Sequence, residues 1–547
     1  MTGRIPEDLG RRRFDLIVIG GGINGAGIAR DAALRGLSVL LLEKTDLCGA
    51  TSSWNSRLIH GGLRYLEHGE VGLVRESLRD REILLRTAPH LVRPLPLLIP
   101  IYRSQRRGPW LVRLGMIAYD LLSLDKSLPR HRMLSRQQTL AAEPGLDPEG
   151  LRGAALYYDA QAAFPERLVL ENVLSAQERG ARVITYAEVQ SIRTEDGRVR
   201  GVGFEDRLHG GFHEAHADAV INVAGPWVDR VLSVSGRRFG TRIGGTKGTH
   251  VVVGPFPGAP RQALYTEAAA DQRPYFTLPW NELYLIGTTD TRFDGDLDRL
   301  EPTDEEMDYL LAETNRVIPG AGLTREAVLY AYAGVRPLPY VEADSAGAIT
   351  RRHLIQDHGP ELQGLWSVVG GKLTTYRHLA EQAVEKVGRA QGWDLPACPT
   401  RRQSLPGAQA DSLEEFGAAF RRDSGLPDAV AGRLLRLYGV RATRVLELVR
   451  ADPDLARVFS PATGAIAAEL LLAFREELAQ TLTDALMRRT LVGLGAAAGL
   501  DAVDAAASLG CRYLGWSAER AAAEVEGFHS YIKRLRPAGY REGAPPR

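Results

Sequence analysis

The N-terminal segment begins with two apolar runs separated by a helical pattern. Phe14–Ile19 is a short apolar, β-branched run and Ser38–Leu42 is a second short run, both typical of buried parallel strands. Helical periodicity spans Ile23–Arg35 between them. Gly20, Gly22 and Gly25 join the first strand to the helix in GxGxxG spacing. Glycines at such a junction let the backbone approach a pyrophosphate at a helix N-terminus. The pattern therefore predicts a βαβ unit that binds a dinucleotide.

The residues that follow this unit narrow the choice of dinucleotide. Glu43 ends the second strand, where a carboxylate would bind the ribose hydroxyls of adenosine. An acid there disfavours a 2′-phosphate, so FAD or NAD is favoured over NADP. The run Leu47–Tyr65 is rich in Gly, Ser and Thr. That composition suits the lining of a flavin and is equally typical of a plain polar loop.

The later pattern indicates three further kinds of structure. Alternating, aromatic-rich segments between residues 244 and 350 predict an antiparallel sheet, and Thr303 and Glu306 form a capping box before a helix at Asp304–Asn315. The apolar strand Leu365–Val369 precedes Gly370–Lys372, which predicts a second helix N-terminus. Amphipathic helices dominate beyond residue 400, and one is predicted over Leu482–Leu494.

These elements predict an α/β fold with three parts. A βαβ unit that is completed only near residue 370 suits a discontinuous, Rossmann-like FAD-binding domain, which we assign to residues 12–90, 150–243 and 352–395. An antiparallel, β-rich substrate-binding or cap region is assigned to residues 91–149 and 244–351. Residues 400–540 are predicted to form a C-terminal all-α domain.

Composition excludes several classes of protein. The 547-residue chain carries a formal net charge of +1, which gives no general reason to bind nucleic acid. Its three cysteines are isolated, so neither a disulfide framework nor a metal site is predicted, and a reducing cytoplasm is the expected compartment. We find no signal peptide and no apolar run of about 18 residues that would span a bilayer.

One stretch departs from this even charge balance. Residues 83–119 contain six arginines and no Asp or Glu, and apolar side chains interleave with the arginines around Trp110, Leu111, Leu114, Met116 and Ile117. Basic and aromatic residues together suit the headgroup region of an anionic membrane. The alternative is the basic face of an ordinary subdomain.

Cations also recur at strand ends and glycine-rich turns. Arg64, Arg336, Arg351 and Lys372 occupy such positions, which gather around sites in α/β folds. Their convergence would imply an anionic substrate with a phosphate or carboxylate group. For any one arginine, an ordinary salt bridge is the simpler interpretation.

Several motifs together resemble the FAD-dependent, respiratory glycerol-3-phosphate dehydrogenases. The similarity extends over residues 12–390 and into the helical region, through GGGINGAGIARDAALRGLSVLLLE, ATSSWNSRLIHGGLRYLEHGE, NVAGPWVD, IGTTD, YAGVRPL, GGKLTTYRHLAE and DALMRRT. The resemblance implies hydride transfer from C2 of sn-glycerol 3-phosphate to N5 of FAD, which yields dihydroxyacetone phosphate. It also implies electron transfer to a membrane quinone, a homodimer, and a peripheral position at the inner face of the cytoplasmic membrane.

The resemblance also assigns roles to residues. The implied substrate-binding residues are Arg64, Tyr65, Arg336, Arg351, Lys372 and Thr374. The predicted cofactor-binding residues are Gly20, Gly22, Ile23, Asn24, Gly25, Glu43, Lys44, Thr51, Ser52, Ser53, His60, Gly61, Gly62, Val189, Ala224, Gly225, Gly371, Leu373 and Thr374. The predicted catalytic residues are His60, Arg64, His250, Arg336 and Lys372, with either histidine or another group as the base.

Two positions depart from the family pattern, and other functions stay open. The family commonly has Lys where this chain has Arg57, and a small residue where it has Trp54. Both lie next to the loop predicted to line the cofactor and not among the substrate cations, so we expect them to affect flavin packing or potential and not the reaction. The alternatives are an oxidase that passes electrons from the same substrate to oxygen, a flavin amine or amino-acid oxidase, and an inactive scaffold.

Overall fold

The computed structural model describes residues 4–66, 69–105, 107–341 and 352–536. The strands are β1 Arg13–Ile19, β2 Val39–Leu42, β3 Leu58–Ile59, β4 Val92–Tyr102, β5 Arg132–Ser135, β6 Leu151–Ala162, β7 Arg182–Ile184, β8 Ala187–Glu195, β9 Arg198–Asp206, β10 Phe212–Asn222, β11 Thr246–Val253, β12 Ala263–Glu267, β13 Pro274–Trp280, β14 Leu283–Gly287, β15 Thr291–Arg292, β16 Val328–Arg336, β17 Leu354–Asp357, β18 Leu365–Val369, β19 Val458–Ser460 and β20 Ala465–Ile466.

Helices cover the first sheet and build the C-terminal region. They are α1 Ile23–Leu34, α2 Val71–Thr87, α3 Pro109–Leu121, α4 Arg136–Ala142, α5 Pro165–Gln177, α6 Val228–Ser233, α7 Asp304–Val317, α8 Tyr376–Gln391, α9 Leu413–Asp423, α10 Asp428–Tyr438, α11 Ala442–Ala451, α12 Ala467–Arg475, α13 Leu482–Asp484, α14 Val503–Leu514 and α15 Ala518–Lys533. The capping box predicted for α7 is present, since Thr303 Oγ1 accepts from Glu306 N.

The first sheet has the predicted Rossmann-like core. Its order is β17-β18-β10-β1-β2-β7, and β7, β2, β1, β10 and β18 run parallel. Helices α1 and α5 pack together over this core, and α8 packs against α1. Strands β1 and β2 are apolar almost throughout because both faces of the sheet are covered. The core is assembled from segments between residues 13 and 391, so the predicted discontinuity is present.

The second sheet lies beside the first and is largely antiparallel. Its order is β15-β11-β14-β13-β12-β4-β6-β3, with β16 paired to β11 and a parallel pairing between β12 and β4. Strand β6, which the sequence places in the cofactor-binding part, pairs with β4 here over its full length. The fold class is as predicted, whereas the exact domain boundaries stay a prediction.

The C-terminal region is helical, with one small hairpin formed by β19 and β20. The single helix predicted over Leu482–Leu494 is wrong. The chain forms the short α13, a π-helical turn over Ala485–Arg489 and a 3-10 turn over Val492–Leu494. Leu491 adopts a φ of +60°, which interrupts a right-handed helix. Within the described ranges, no helix combines the length and apolar character needed to cross a bilayer.

Candidate functional site

A cleft of about 580 Å³ lies where the two sheets meet. The turn after β1, the loop after β2, the end of β16 and the Gly370–Thr374 turn all contribute side chains or backbone to its lining. These segments come from widely separated parts of the chain. The carboxyl ends of β1 and β18 both open onto the cleft, as they do at ligand sites in open α/β sheets.

The glycine turn at the N-terminus of α1 is built for close approach. Gly20 has a φ of +116°, and a Cβ on Gly25 would lie 1.9 Å from the carbonyl oxygen of Gly20. The Ile23 N–H donates to Ser52 Oγ over 2.9 Å, so the loop after β2 is fixed against the helix start. This arrangement presents backbone N–H groups to an anion.

Glu43 lies in the cleft at the end of β2, where a ribose-binding acid was predicted. Its Oε2 accepts a 2.7 Å hydrogen bond from Gly21 N, and its Oε1 accepts from Thr45 N and Oγ1. The carboxylate therefore also joins the glycine turn to the following loop. Its contact with a ribose stays a prediction.

Ser53 and Gly61 were predicted to contact the cofactor, but neither lines the cleft. Both instead form hydrogen bonds inside the protein. Ser53 Oγ donates to Glu166, which also receives two 3.0 Å hydrogen bonds from Arg57. Arg57 is buried and stacks on Trp280, 4.5 Å from the ring centroid. The family departure at position 57 thus forms a buried ion pair with Glu166 of α5.

His60 lines the cleft and is neutral at physiological pH. Burial lowers its pKa to about 4, Asp159 opposes this shift, and the charge of Lys372 adds to it. The His60 backbone N–H donates to Thr374 Oγ1 over 3.1 Å. That bond joins the turn after β3 to the turn after β18.

His250, the other predicted base, does not line the cleft. It is buried in β11, its ring is stacked on Tyr332, and its Nε2 lies 2.9 Å from Ser56 Oγ. Burial, with the charges of Arg336 and Arg57, lowers its pKa well below the usual value. His250 thus lies behind the wall of the cleft and not in its lining, and its role as a base stays a prediction that this position disfavours.

Three of the four predicted cations line the cleft together, namely Arg64, Arg336 and Lys372. Lys372 Nζ lies 3.7 Å from the centroid of the Tyr65 ring, a cation–π contact between two predicted substrate residues. Arg336 donates to Asp290 Oδ1 over 3.0 Å and to Thr288 Oγ1 over 3.1 Å. The fourth, Arg351, lies outside the described residues.

Some residues of the cleft were not predicted from the sequence. Arg273, in the turn between β12 and β13, lines the cleft and donates to the Asp290 carbonyl oxygen. Tyr157, Tyr265 and Phe276 form an aromatic wall, and the Phe276 ring meets His60 edge to face. The IGTTD motif held the signal for Thr288 and Asp290, whereas nothing in the local pattern marked Arg273.

Most of the predicted cofactor residues line the cleft. They are Gly20, Gly22, Ile23, Asn24, Glu43, Lys44, Thr51, Ser52, His60, Gly62, Val189, Ala224, Gly225, Gly371, Leu373 and Thr374. Gly25 lies behind them in contact with Gly20 and has the helix-packing role expected of the third glycine. A glycine turn at a helix start, an acid after β2 and a long cleft with cations at the far end fit the charge and shape of FAD.

Comparison with known proteins agrees with this geometry. Residues 15–377 match the family model of the FAD-dependent oxidoreductases, and residues 398–521 match the C-terminal domain of alpha-glycerophosphate oxidase. The chain therefore belongs to the FAD-dependent oxidoreductases, and its cofactor is FAD.

Individual relatives define the family within that class. A glycerol-3-phosphate dehydrogenase from Synechocystis is 47% identical over 543 residues, which cover 95% of this chain and 96% of the relative. The solved glycerol-3-phosphate dehydrogenase from Bacillus halodurans, complexed with FAD, is 30% identical and superposes with a TM-score of 0.79 over 98% of this chain and 97% of that one. The chain belongs to the glycerol-3-phosphate dehydrogenase family.

A more distant structure shares the fold alone. The L-alpha-glycerophosphate oxidase from Mycoplasma pneumoniae, with FAD bound, is 19% identical and has a TM-score of 0.57. The match covers 72% of this chain and 99% of the oxidase chain.

Proposed function

We propose that this enzyme oxidises sn-glycerol 3-phosphate to dihydroxyacetone phosphate and passes the electrons to a membrane quinone. The observation that supports this most strongly is the meeting of Arg64, Arg336 and Lys372 in the cleft that also contains the glycine turn. A single carboxylate needs one cationic clamp, whereas a phosphate dianion favours several cations. The names of the relatives agree with this substrate.

Arg336 is the proposed anchor of the substrate phosphate. Its guanidinium is oriented by Asp290 and Thr288, and Arg273 contacts the same Asp290 from a different strand connection. A planar guanidinium that is fixed in this way binds a phosphate with little further loss of side-chain entropy. Arg336 would thereby hold the glycerol carbons over the aromatic wall.

The remaining chemistry divides between the cofactor and the chain. Bound FAD supplies the hydride acceptor, atom N5, for the hydrogen on C2. The neutral imidazole of His60 accepts the proton of the C2 hydroxyl as that hydrogen leaves. Lys372 and Arg64 stabilise negative charge that develops on the substrate oxygen. Thr374 fixes the His60 backbone and so holds the base in position.

Anaerobic reduction tests the proposed substrate. Glycerol 3-phosphate should bleach the flavin absorbance of the holoenzyme, whereas glycerol and D-amino acids should leave it unchanged. Bleaching by amino acids instead would favour an amine or amino-acid oxidase, and no bleaching by any substrate would favour an inactive scaffold. Quinone reduction and peroxide yield after reoxidation then separate a dehydrogenase from an oxidase that uses oxygen.

The proposed membrane contact is the exposed face of α3. Trp110 is 79% exposed and Leu114 is 64% exposed, and Leu111, Leu121 and Leu124 extend the same apolar surface. Arg113 lies beside Trp110, 5.7 Å from its ring centroid. A soluble surface rarely exposes so many large apolar side chains together, and the adjacent basic charge complements anionic lipid. Met116, predicted within the same surface, is instead buried and anchors the helix.

A contact of this kind would place the enzyme at the inner face of the cytoplasmic membrane, within reach of a membrane quinone. That location, the quinone and a homodimer are parts of one proposal that rests on the family resemblance together with the exposed helix. Vesicle flotation with and without anionic lipid tests the contact. Binding to neither type of vesicle would contradict it.

A further inference from the structure

The loop after β2 contacts both the cleft and the helical C-terminal region. Glu43, which precedes this loop, and Ser52, near its end, both line the cleft, and Cys48 N donates to the Gly21 carbonyl oxygen over 3.0 Å. Asp46, in the same loop, is buried and points into the helical C-terminal region. We use the name cofactor loop for residues 45–53.

Two consecutive arginines of the C-terminal region bind this carboxylate. Arg489 donates to Asp46 Oδ1 over 2.6 Å and to Oδ2 over 2.9 Å, and Arg488 donates to Oδ2 over 2.5 Å. In an ordinary α-helix, side chains at adjacent positions point about 100° apart. The π-helical turn at Ala485–Arg489 widens the backbone so that both guanidinium groups reach one acceptor.

The two arginines are themselves fixed within the helical region. Arg488 also donates to Asp484 Oδ1 over 2.8 Å, and Arg489 Nε donates to the Glu477 carbonyl oxygen. Burial alone would raise the pKa of Asp46, but the two arginines outweigh burial and hold the pKa below its usual value. The carboxylate is therefore ionised throughout the physiological range. We call the ion pairs of Asp46 with Arg488 and Arg489 the clamp.

The end of the same region reaches the cleft directly. Arg534 and Leu535, just beyond α15, line the cleft, and the Leu535 carbonyl oxygen accepts a 2.6 Å hydrogen bond from Ala331 N in β16. Arg534 stacks over the Tyr531 ring and also lines a neighbouring cavity of about 480 Å³. Thr45 of the cofactor loop lines both spaces.

We propose that the helical C-terminal region is part of the FAD site: Arg488 and Arg489 position the cofactor loop through Asp46, and Arg534 binds the anionic diphosphate part of FAD. A loop that is ordered before binding loses less conformational entropy when the cofactor enters, so the clamp raises affinity without contacting FAD. The inference rests on the cofactor and is independent of the substrate.

Comparison of two buried arginines tests the clamp. Arg489→Lys removes a two-pronged interaction with the cofactor loop, whereas Arg433→Lys removes one with Glu469 inside the helical region, away from the cleft. Both variants should lower the unfolding temperature. Only Arg489→Lys should raise the FAD dissociation constant of the apoenzyme, by about tenfold or more, as measured by quenching of flavin fluorescence.

An equal change in the two FAD dissociation constants, or no change for Arg489→Lys, would overturn the clamp. The second arm avoids the buried network. Arg534→Ala should speed FAD release from the holoenzyme about tenfold, and Lys533→Ala, exposed on the preceding position, should leave it unchanged. Equal release rates for these two variants would overturn the role of Arg534. Since both arms follow FAD and no substrate is added, their result is separate from the choice of substrate.

Discussion

The Gly61 N–H donates a 2.9 Å hydrogen bond to the Tyr119 hydroxyl. Tyr119 belongs to α3, the helix with the exposed apolar face, and its hydroxyl also donates to Asp159 over 2.7 Å. Gly61 directly follows His60, so the proposed membrane helix and the proposed base are joined through one tyrosine. A Cβ at position 61 would lie 2.4 Å from that hydroxyl, which explains the glycine.

Charge placed on the outer face of α3 should weaken membrane binding. Trp110→Glu and Leu114→Glu should each weaken binding to anionic vesicles about tenfold, because each removes a large apolar side chain from the interface. Phe212→Glu is the matched control, since Phe212 is 57% exposed but lies on β10. Flotation measures the bound fraction. Equal loss for all three variants would contradict a specific role for α3.

Loss of the phosphate anchor should weaken binding of the substrate. Arg336→Ala should lower kcat/KM for glycerol 3-phosphate about 10-fold to 100-fold, mainly through KM, because charge-assisted hydrogen bonds to the phosphate are removed. Arg389→Ala, on the exposed face of α8, should change neither constant. An unchanged KM in the Arg336 variant would remove this residue from the phosphate site.

Replacement of the proposed base should slow the chemical step. His60→Gln keeps a polar side chain but accepts no proton, so the rate of flavin reduction in stopped flow should fall about 100-fold or more. Substrate affinity should change little, because the phosphate contacts stay in place. Reduction at the wild-type rate at every pH would eliminate His60 as the base.

The lowered pKa of His60 also predicts a pH dependence of stability. The unfolded histidine takes up its proton below about pH 6.5, whereas the folded one stays neutral down to about pH 4. The unfolded state therefore binds more protons in this window, and stability is lost as the pH falls from 6.5 to 4. His60→Gln should remove up to about 3 kcal/mol of this loss.

Denaturant unfolding of both apoproteins at pH 7 and at pH 4.5 measures the difference. Other histidines with lowered pKa values, such as His358, contribute equally to the two proteins and cancel. Parallel curves of stability against pH for the two proteins would show that folded His60 takes up its proton over the same pH range as unfolded His60.

Breaking the buried pair below the cofactor loop should destabilise the protein. Arg57→Met leaves Glu166 buried with its charge unmatched, and should lower the free energy of unfolding by about 3–5 kcal/mol. Arg57→Met with Glu166→Gln should recover part of that loss, because the uncompensated charge is gone. If Arg57→Met alone were as stable as the wild type, water would have to reach the Glu166 carboxylate.

Local pattern predicted the elements that depend on short-range rules. The strand, glycine turn and helix from β1 to α1 follow from apolar runs and glycine spacing, and the α7 capping box follows from residues three positions apart. The pattern also placed cations at the ends of strands that meet. Arg64 and Arg336 are 272 positions apart and still share a cleft, because strand topology brings their ends together.

The residues that the sequence misplaced or missed depend on contacts that form only in the folded chain. His250 lies on β11, whose eight residues are all buried, so no alternation in the sequence tells which face of the strand meets the cleft. Arg273 lies in a short connection with no motif. The partnership of Asp46 with Arg489 spans 443 positions, and only the packing of two regions creates it.

The contact between Leu535 and β16 has a consequence for biosynthesis. A ribosome releases the glycine turn early, but Leu535, which lines the cleft beside β16, emerges 510 residues after Gly25. Nascent chains and truncations that stop before α15 therefore lack Arg534 and Leu535 in the cleft wall, and we expect them to take up flavin less readily than the longer chain.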